Sequence, residues 1–415
     1  MANSDTEVVI VGGGAAGIAA GRRLAKAAIE CLVVEARPRL GGRAWTITDA
    51  GGYALDLGCG WLHSADRNPW APIAQAQGRT IDKTLPPWER RSMSIGFPPP
   101  DQQDFADAMG KFFERVGPAA QPADVAASVA LEPNGRWNNL ITAVGTFISG
   151  AEYDRVSARD FESYADDGVN WRVREGYGAT IVAHGDGLPV VLDCPVLQID
   201  HHGRRLKIET AKGTITADQA IVTLPTAIIA DKEFLFSPAL PDKIEAARGL
   251  PLGLADKLFM SLERAEEFES GSQLFGRIDQ VATAAYYFRP FGRPMIEAYF
   301  GGRLASELEA GGEGGFFDFA ASELRALLGS DFVRRLKPAH HHSWGADPFA
   351  RGSYSFALPG HTDCRARLAA PVNERLFFAG EACSPNDFST AHGGYHTGVA
   401  AADQAIAARR RKRAV

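Results

Sequence analysis

The feature that most constrains this 415-residue chain lies at its start, Glu7-Val8-Val9-Ile10-Val11-Gly12-Gly13-Gly14-Ala15-Ala16-Gly17. A short apolar run rich in β-branched residues meets three glycines and then an alanine-rich segment, which reads as strand, tight turn and helix. Gly12 permits the turn, Gly14 lets backbone approach a pyrophosphate, and Gly17 lets the helix pack closely on the strand. The helix start, carrying Ala15 and Ala16, offers free N–H groups and a positive dipole end to phosphates. A second apolar run, Cys31-Leu32-Val33-Val34, ends in Glu35. That acid falls about 20 residues past the glycines, where ribose hydroxyls need an acceptor. The spacing predicts a dinucleotide-binding opening to an α/β fold.

The next segment selects the dinucleotide. Glu35 leads through Ala36 and Arg37 to a second loop, Leu40-Gly41-Gly42-Arg43. Folded against the same pyrophosphate, this loop would bring Arg43 as countercharge, with a fork suited to phosphate oxygens. The alternative is a surface turn with a solvated arginine. Nicotinamide-binding folds have no need of a second loop, so the pattern points to FAD. Next comes a small strand and a glycine-rich loop, Asp56-Leu57-Gly58-Cys59-Gly60-Trp61-Leu62-His63, carrying an indole and an imidazole. Such a histidine is as compatible with a structural as with a substrate-side place.

Composition excludes several classes. The five cysteines are scattered without a CxxC pair, which indicates neither a disulfide framework nor a zinc site. Adjacent histidines at 201–202 and 340–342 face opposite ways if extended, and no spacing completes a metal site. No apolar run is long enough for a membrane span, the start lacks the regions of a signal peptide, and cytoplasmic residence is expected. A net charge of −6 is too mild to imply nucleic acid. The acidic excess lies in 81–175 and 231–343, where it would modestly concentrate cationic ligands. The basic cluster Arg409-Arg410-Arg411-Lys412-Arg413 reads as a frayed, solvated helix end. Oligomeric state is not legible, although a homodimer is compatible.

Proline clusters and helical stretches set 81–175 apart, and short strands with turns follow from Leu188 to Leu224. A Rossmann-type FAD-binding domain is therefore expected from 1–80, 176–230 and 344–415. A second, α+β substrate domain is expected from 81–175 and 231–343, as a mixed sheet flanked by helices.

Gly12-x-Gly14-x-x-Gly17, Glu35, Gly41-Gly42-Arg43, Phe378-Ala379-Gly380-Glu381 and Thr390-Ala391-His392-Gly393-Gly394-Tyr395 together resemble the flavin-containing amine oxidase family. Monoamine oxidases, polyamine oxidases and flavin histone demethylases belong to it, and the motifs span nearly the whole chain. Independently, glycines at a helix start could hold the negative charge of a reduced flavin. The resemblance implies that Glu381, after Gly380, contacts the ribityl–phosphate region, that Thr390 and Ala391 face the flavin, and that Val196 lies near adenine. Gly58 and Trp61 belong to the same expected cofactor shell.

Lys257 sits inside an otherwise apolar strand, an expensive place for an ammonium unless it is paired or neutral. The alternatives are a lysine on the wet face or one paired with Asp256. In the family a lysine at this place holds a water against flavin N5, which implies a desolvated Lys257 that orients water and assists flavin reoxidation. Trp344 through Ser355 resembles the family's second substrate-side segment. Tyr354 and Tyr395 match the two aromatic residues that flank the flavin in monoamine oxidases, where parallel π-faces direct an amine. Ser353 stands where monoamine oxidases carry the cysteine that tethers flavin, which implies noncovalent FAD. His63 after Trp61 is similar to polyamine oxidases of animal type. The resemblance thus implies oxidation of a small-molecule amine to an imine, then aldehyde or ketone, with O2 reduced to H2O2. Rival readings are a carotenoid- or squalene-type desaturase, an L-amino-acid oxidase using Arg289 or Arg303 for the carboxylate, and a non-catalytic flavin-binding protein.

Overall fold

The computed structural model describes residues 4–232, 234–312 and 314–414. Residues 1–3, part of the segment read for a leader, and the side chain of Arg413 lie outside that description. Strand Ser4–Val11 runs parallel to both Cys31–Val34 and Gly213–Val222, and all of Val8 to Val11 are buried. A continuous apolar run is what a central parallel strand covered on both faces requires. Val8 and Ile10 pack with helix Ala15–Lys26 and helix Ala391–Ala414, while Val9 and Val11 enter the core on the opposite face.

The sheet has eight strands and gathers the two ends and the middle of the chain. Val190–Val191 borders Cys31–Val34, and Leu376–Phe378 runs parallel to Gly213–Val222. Antiparallel pairings bring in Leu206–Thr210 and Val196–Asp200, and Phe236–Ser237 closes the far edge. Phe236, Ala246, Ala247 and Leu250, beyond the boundary expected at 231, join the core of this sheet.

The second sheet has the order Ser272–Phe275, Ala285–Phe288, Met295–Gly301, Ala255–Leu262, Leu336–His341 and is antiparallel at every pairing; the mixed pairing is in the larger sheet. One face buries Leu258, Met260, Leu262, Ile296, Ala298 and Phe300 against helices Gly302–Ala310 and Gly315–Leu328. Side chains alternate along a strand, so Lys257, Glu297 and Tyr299 belong to the other face. Lys257 stands directly opposite Tyr299, and Phe259 opposite Glu297. Phe259 packs there on Leu55 and Leu57. The polar face of the second sheet thus meets the loop that follows Asp56. The terminal helix runs on to Ala414, and Arg409 pairs with Glu7 and Asp218 while Arg411 pairs with Glu374. The expected frayed end is therefore helical and partly ion-paired. No helix among the described residues is long and apolar enough to cross a membrane.

Candidate active site

The glycines of the first loop are fixed by space. A Cβ on Gly17 would lie 1.9 Å from the Gly12 carbonyl oxygen, so only glycine lets this helix sit on this strand. Gly14 caps the helix without a side-chain partner and without an acid in the first turn, and a Cβ there would meet nothing closer than 3.8 Å. The helix start is left open for an anion. The second loop does fold onto the first: Gly41 N donates to Gly13 O at 2.8 Å, and a Gly42 Cβ would touch Gly14 Cα at 3.3 Å. Ala15 and Ala16 begin the helix behind it.

Glu35 is 4% exposed, and its carboxylate accepts from Gly13 N at 2.7 Å and Arg37 N at 2.9 Å across Ala36. The Arg37 guanidinium turns to Asp347 at 2.6 Å, so its charge is satisfied inside the protein. Asp193 and Cys194 donate backbone hydrogen bonds to Arg37 and Glu35, which brings the segment leading to Val196 beside the acid. Arg43 Nη1 bonds Glu381 Oε1 at 2.9 Å and the Ser353 carbonyl at 2.7 Å. Burial alone would lift the Glu381 carboxyl, but Arg43 and the Ser355 hydroxyl outweigh it and hold it below the usual range. Gly380 has φ +132° with nothing within 4 Å of where a Cβ would be. That open space beside a paired carboxylate and arginine, together with the open helix start at Gly14, fits a dinucleotide.

One loop joins this cradle to the lysine. A Cβ on Gly58 would lie 1.8 Å from Arg43 O, and a Cβ on Gly60 3.0 Å from Lys257 Nζ. Lys257 is 6% exposed and donates to the Asp56 carbonyl at 3.0 Å. Its charge partner is Glu297 at 3.3 Å. Asp256, the partner considered from sequence, points to the other face, accepts from Trp344 N and is pushed well above the carboxylate range by burial and by Glu309. Burial pulls the Lys257 ammonium down, but Tyr299 and Glu297 outweigh it and the net direction is up.

Above the lysine, Trp61 meets the half-exposed Trp88 edge-on at 4.6 Å, with the Arg172 guanidinium 5.0 Å from its ring centre. His63 Nδ1 pairs with Asn170 Oδ1 at 2.7 Å, and burial lowers its pKa. Trp344 is buried, donates Nε1–H to Leu57 O at 3.1 Å and packs edge-on against His342. It forms the wall behind the loop.

The two expected cage tyrosines are held by separate contacts. Tyr354 donates its hydroxyl to Phe147 O, and burial raises its pKa. The ring contacts of Tyr395 among the described residues are with Trp70, His184 and His396. Tyr395 lies one turn into the terminal helix, on the side packed against helices Trp70–Ala76 and Tyr177–His184. Thr390 follows Ser389, which bonds both Ser355 O at 2.6 Å and Glu381 at 2.9 Å. Thr390 Oγ1 accepts from Gly393 N at 3.0 Å, and Ala391 O accepts from Trp70 Nε1 at 3.1 Å.

Arg289 bonds the Phe268 carbonyl, and the exposed Arg303 pairs with Glu152 and Asp154, so neither reaches the lysine. No group of three or more His, Cys, Asp or Glu among the described residues could hold a metal ion. Sequence reasoning missed Arg172, Glu297, Tyr299, Asn170 and Trp88. Glu297 carried the same signal as Lys257, a charge in the apolar strand Met295–Gly301.

Residues 98–406 match the family model for flavin containing amine oxidoreductases, and residues 10–75 match an NAD(P)-binding Rossmann-like domain. The chain is 29% identical to polyamine oxidase 3 of Oryza sativa subsp. japonica, over 95% of this chain and 88% of the rice protein. It is also 29% identical to polyamine oxidase 2 of Arabidopsis thaliana, over 97% of this chain and 88% of that protein. A putrescine oxidase variant with redesigned cofactor binding superposes with a TM-score of 0.77 at 18% identity, covering 98% of this chain and 100% of that one. The glycine cradle, the joining loop and the matched family agree: the chain belongs to the flavin-containing amine oxidoreductases, enzymes that oxidise amines with FAD.

Proposed function

We propose that this chain binds FAD noncovalently and oxidises an aliphatic amine of the polyamine class to an imine, with O2 as acceptor and H2O2 as second product. The observation that carries this reading is the loop from Asp56 to Gly60, which meets Arg43 at its middle, Gly58 and Cys59, and Lys257 at both ends, Asp56 and Gly60. The polyamine class rests on the names of the rice and Arabidopsis relatives. Bound FAD supplies the acceptor for two electrons, which O2 then takes up with two protons. The amine loses a hydride equivalent from its α-carbon and a proton from nitrogen; water then adds to the C=N bond, releasing an aldehyde or ketone and an amine.

The residues of the chain divide the remaining work. Gly12, Gly14 and Gly17 give the pyrophosphate its backbone cradle, Glu35 takes the ribose, and Arg43 with Glu381 sets the charge at the ribityl–phosphate end. Ser353 donates its hydroxyl to Ala255 O at 2.8 Å and offers no thiol for a covalent link. Lys257, with Arg172 behind it, makes the floor cationic, which favours the unprotonated amine at the reacting position. With Asn170 Oδ1 accepting, His63 carries its proton on Nδ1 and presents Nε2 as acceptor to an amine N–H. Trp61 and Trp88 offer π-faces to the charged remainder of the substrate. Tyr354 and Trp344 shape the wall.

We place the enzyme in the cytoplasm, where its five free cysteines stay reduced, and assign it no nucleic-acid partner. Sedimentation would test the homodimer. The substrate domain is taken as 81–175 with the strands after 250, and the FAD domain as the rest.

A peroxide-coupled assay across monoamines, polyamines and amino acids, with anaerobic bleaching of the flavin, tests the proposal. Polyamines should bleach the flavin, and Lys257→Met should retain flavin while losing turnover by about 10²-fold. Bleaching by an amino acid or an alkene-forming substrate, with no amine active, would overturn it.

A further inference from the structure

The floor of the site contains a charge cluster beyond the lysine. Glu297 is 0% exposed, yet two cations reach it, Arg172 Nη1 at 3.0 Å and Lys257 Nζ at 3.3 Å. Arg172 is as buried as Lys257. Each Glu297 oxygen thus lies at ion-pair distance from a cation, Oε2 from Arg172 and Oε1 from Lys257. They come from separate places: Arg172–Val173 pairs with Ile81–Asp82, whereas Glu297 and Lys257 stand on neighbouring strands of the second sheet.

We propose that Glu297, anchored by Arg172, is a positioning residue that keeps Lys257 a cation and holds its Nζ against the Asp56 carbonyl. The inference rests on the reading of Lys257 as the residue at the flavin edge and says in what form it stands there. A buried lysine with no partner becomes neutral. Here the groups facing it decide otherwise. Glu297 and Tyr299 come from strand Met295–Gly301, with the Tyr299 ring centre 5.1 Å from Nζ. Asp56 contributes its carbonyl, while its carboxylate is taken by Thr46 Oγ1 and the N–H groups of Tyr177 and Gly178. Arg172 opposes the charge, His63 is held neutral by burial, and the nearby Cys59 thiol, pushed up to about 12 by burial and Asp56, stays neutral. Tyr287, on the adjoining strand, faces Arg172. Among the described residues Glu297 is the one full negative charge in contact, held ionised because Arg172 and Lys257 outweigh its burial. Without Glu297, the lysine would face Arg172 with only dipoles in support.

The test is a pH titration of the holoenzyme carrying lysine labelled with 13C at Cε, with the Lys257 signal identified by its loss in Lys257→Met. In the wild type that signal should stay in its charged position to about pH 10. In Glu297→Gln its midpoint should fall by about two pH units. Glu297→Asp, which keeps the charge but withdraws it by one methylene, should fall by less, and it serves if the glutamine variant does not fold. A Lys257 midpoint that stays in place in both folded variants, or in the aspartate variant alone if only it folds, would overturn the proposal. So would a wild-type lysine that titrates below the ordinary lysine range. The flavin absorbance recorded in the same titration separates this inference from the one beneath it. If the lysine signal moves and the flavin spectrum does not follow, the cluster stands and the placement of Lys257 at the flavin fails.

Discussion

The two ends of the site are built by different means. The nucleotide cradle is made of backbone, and its exactness comes from atoms that are missing: the Cβ positions of Gly17 and Gly58 would fall within 2 Å of carbonyl oxygens. The amine end is made of charges removed from water, Glu297 with Arg172 and Lys257, and its cost is desolvation. A backbone cradle tolerates no added atom but little depends on pH. A buried charge cluster tolerates changes of size but no change of charge.

That contrast can be broken or sharpened by substitution. The largest effect is expected where the two styles are tied together, at Asp160. This carboxylate takes two bonds from the buried Arg365, at 2.6 and 2.7 Å, and Arg365 bonds Ser355 Oγ, which bonds Glu381. Asp160→Asn strands a buried guanidinium and should cost about 3–5 kcal/mol in urea unfolding. A loss below about 1 kcal/mol would mean that Arg365 finds other partners.

Gly17→Ala should cost about 3 kcal/mol and release flavin, because the opposing atom is backbone and has no rotamer to yield. Gly14→Ala is its control. Its Cβ meets open space, so the apoprotein should melt within about 1 °C of wild type while flavin affinity falls by about tenfold, or 1.4 kcal/mol. Equal behaviour of the two alanines would show that the cradle is not set by shape.

His392, 1% exposed in the first turn of the terminal helix, tests the charge side. Burial lowers its pKa from 6.5 to about 4 against the pull of Asp387. Below pH 6.5 the unfolded chain takes a proton that the folded one refuses, so stability falls as pH drops and the loss is complete near pH 4. The difference amounts to about 3 kcal/mol at the acid end. His392→Gln should flatten the melting temperature between those limits; an unchanged acid slope would place the sensitivity elsewhere. The smallest effect is expected at Arg411, whose exposed pair with Glu374 should contribute under about 1 kcal/mol, measured as Arg411→Ala.

Legibility in the sequence follows the same division. Gly12 to Gly17, Glu35 and Gly41 to Arg43 lie close along the chain, and each has a local reason to be what it is, so turn chemistry alone locates them. The cluster around Lys257 gathers residues 56, 172, 257, 297 and 299 from separate stretches, and no local pattern states which charge meets which. Lys257 was noticeable only as a cation in an apolar strand. Glu297 met the same criterion forty positions later, and nothing in the sequence says that the two strands are neighbours. Tyr395 shows the same limit: no local pattern says that its ring packs edge-on against Trp70. Phe236–Ser237, beyond the boundary expected at 231 and too short to announce its sheet, pairs with Val196–Asp200.

The most direct measurement is a crystal structure of the yellow holoenzyme. The isoalloxazine should lie beside the Asp56–Gly60 loop with Lys257 Nζ one water from its edge, the pyrophosphate over Gly14 and Arg43, and no bond to Ser353. An isoalloxazine separated from Lys257 by protein, with Glu297 and Arg172 sealed off from it, would contradict this placement.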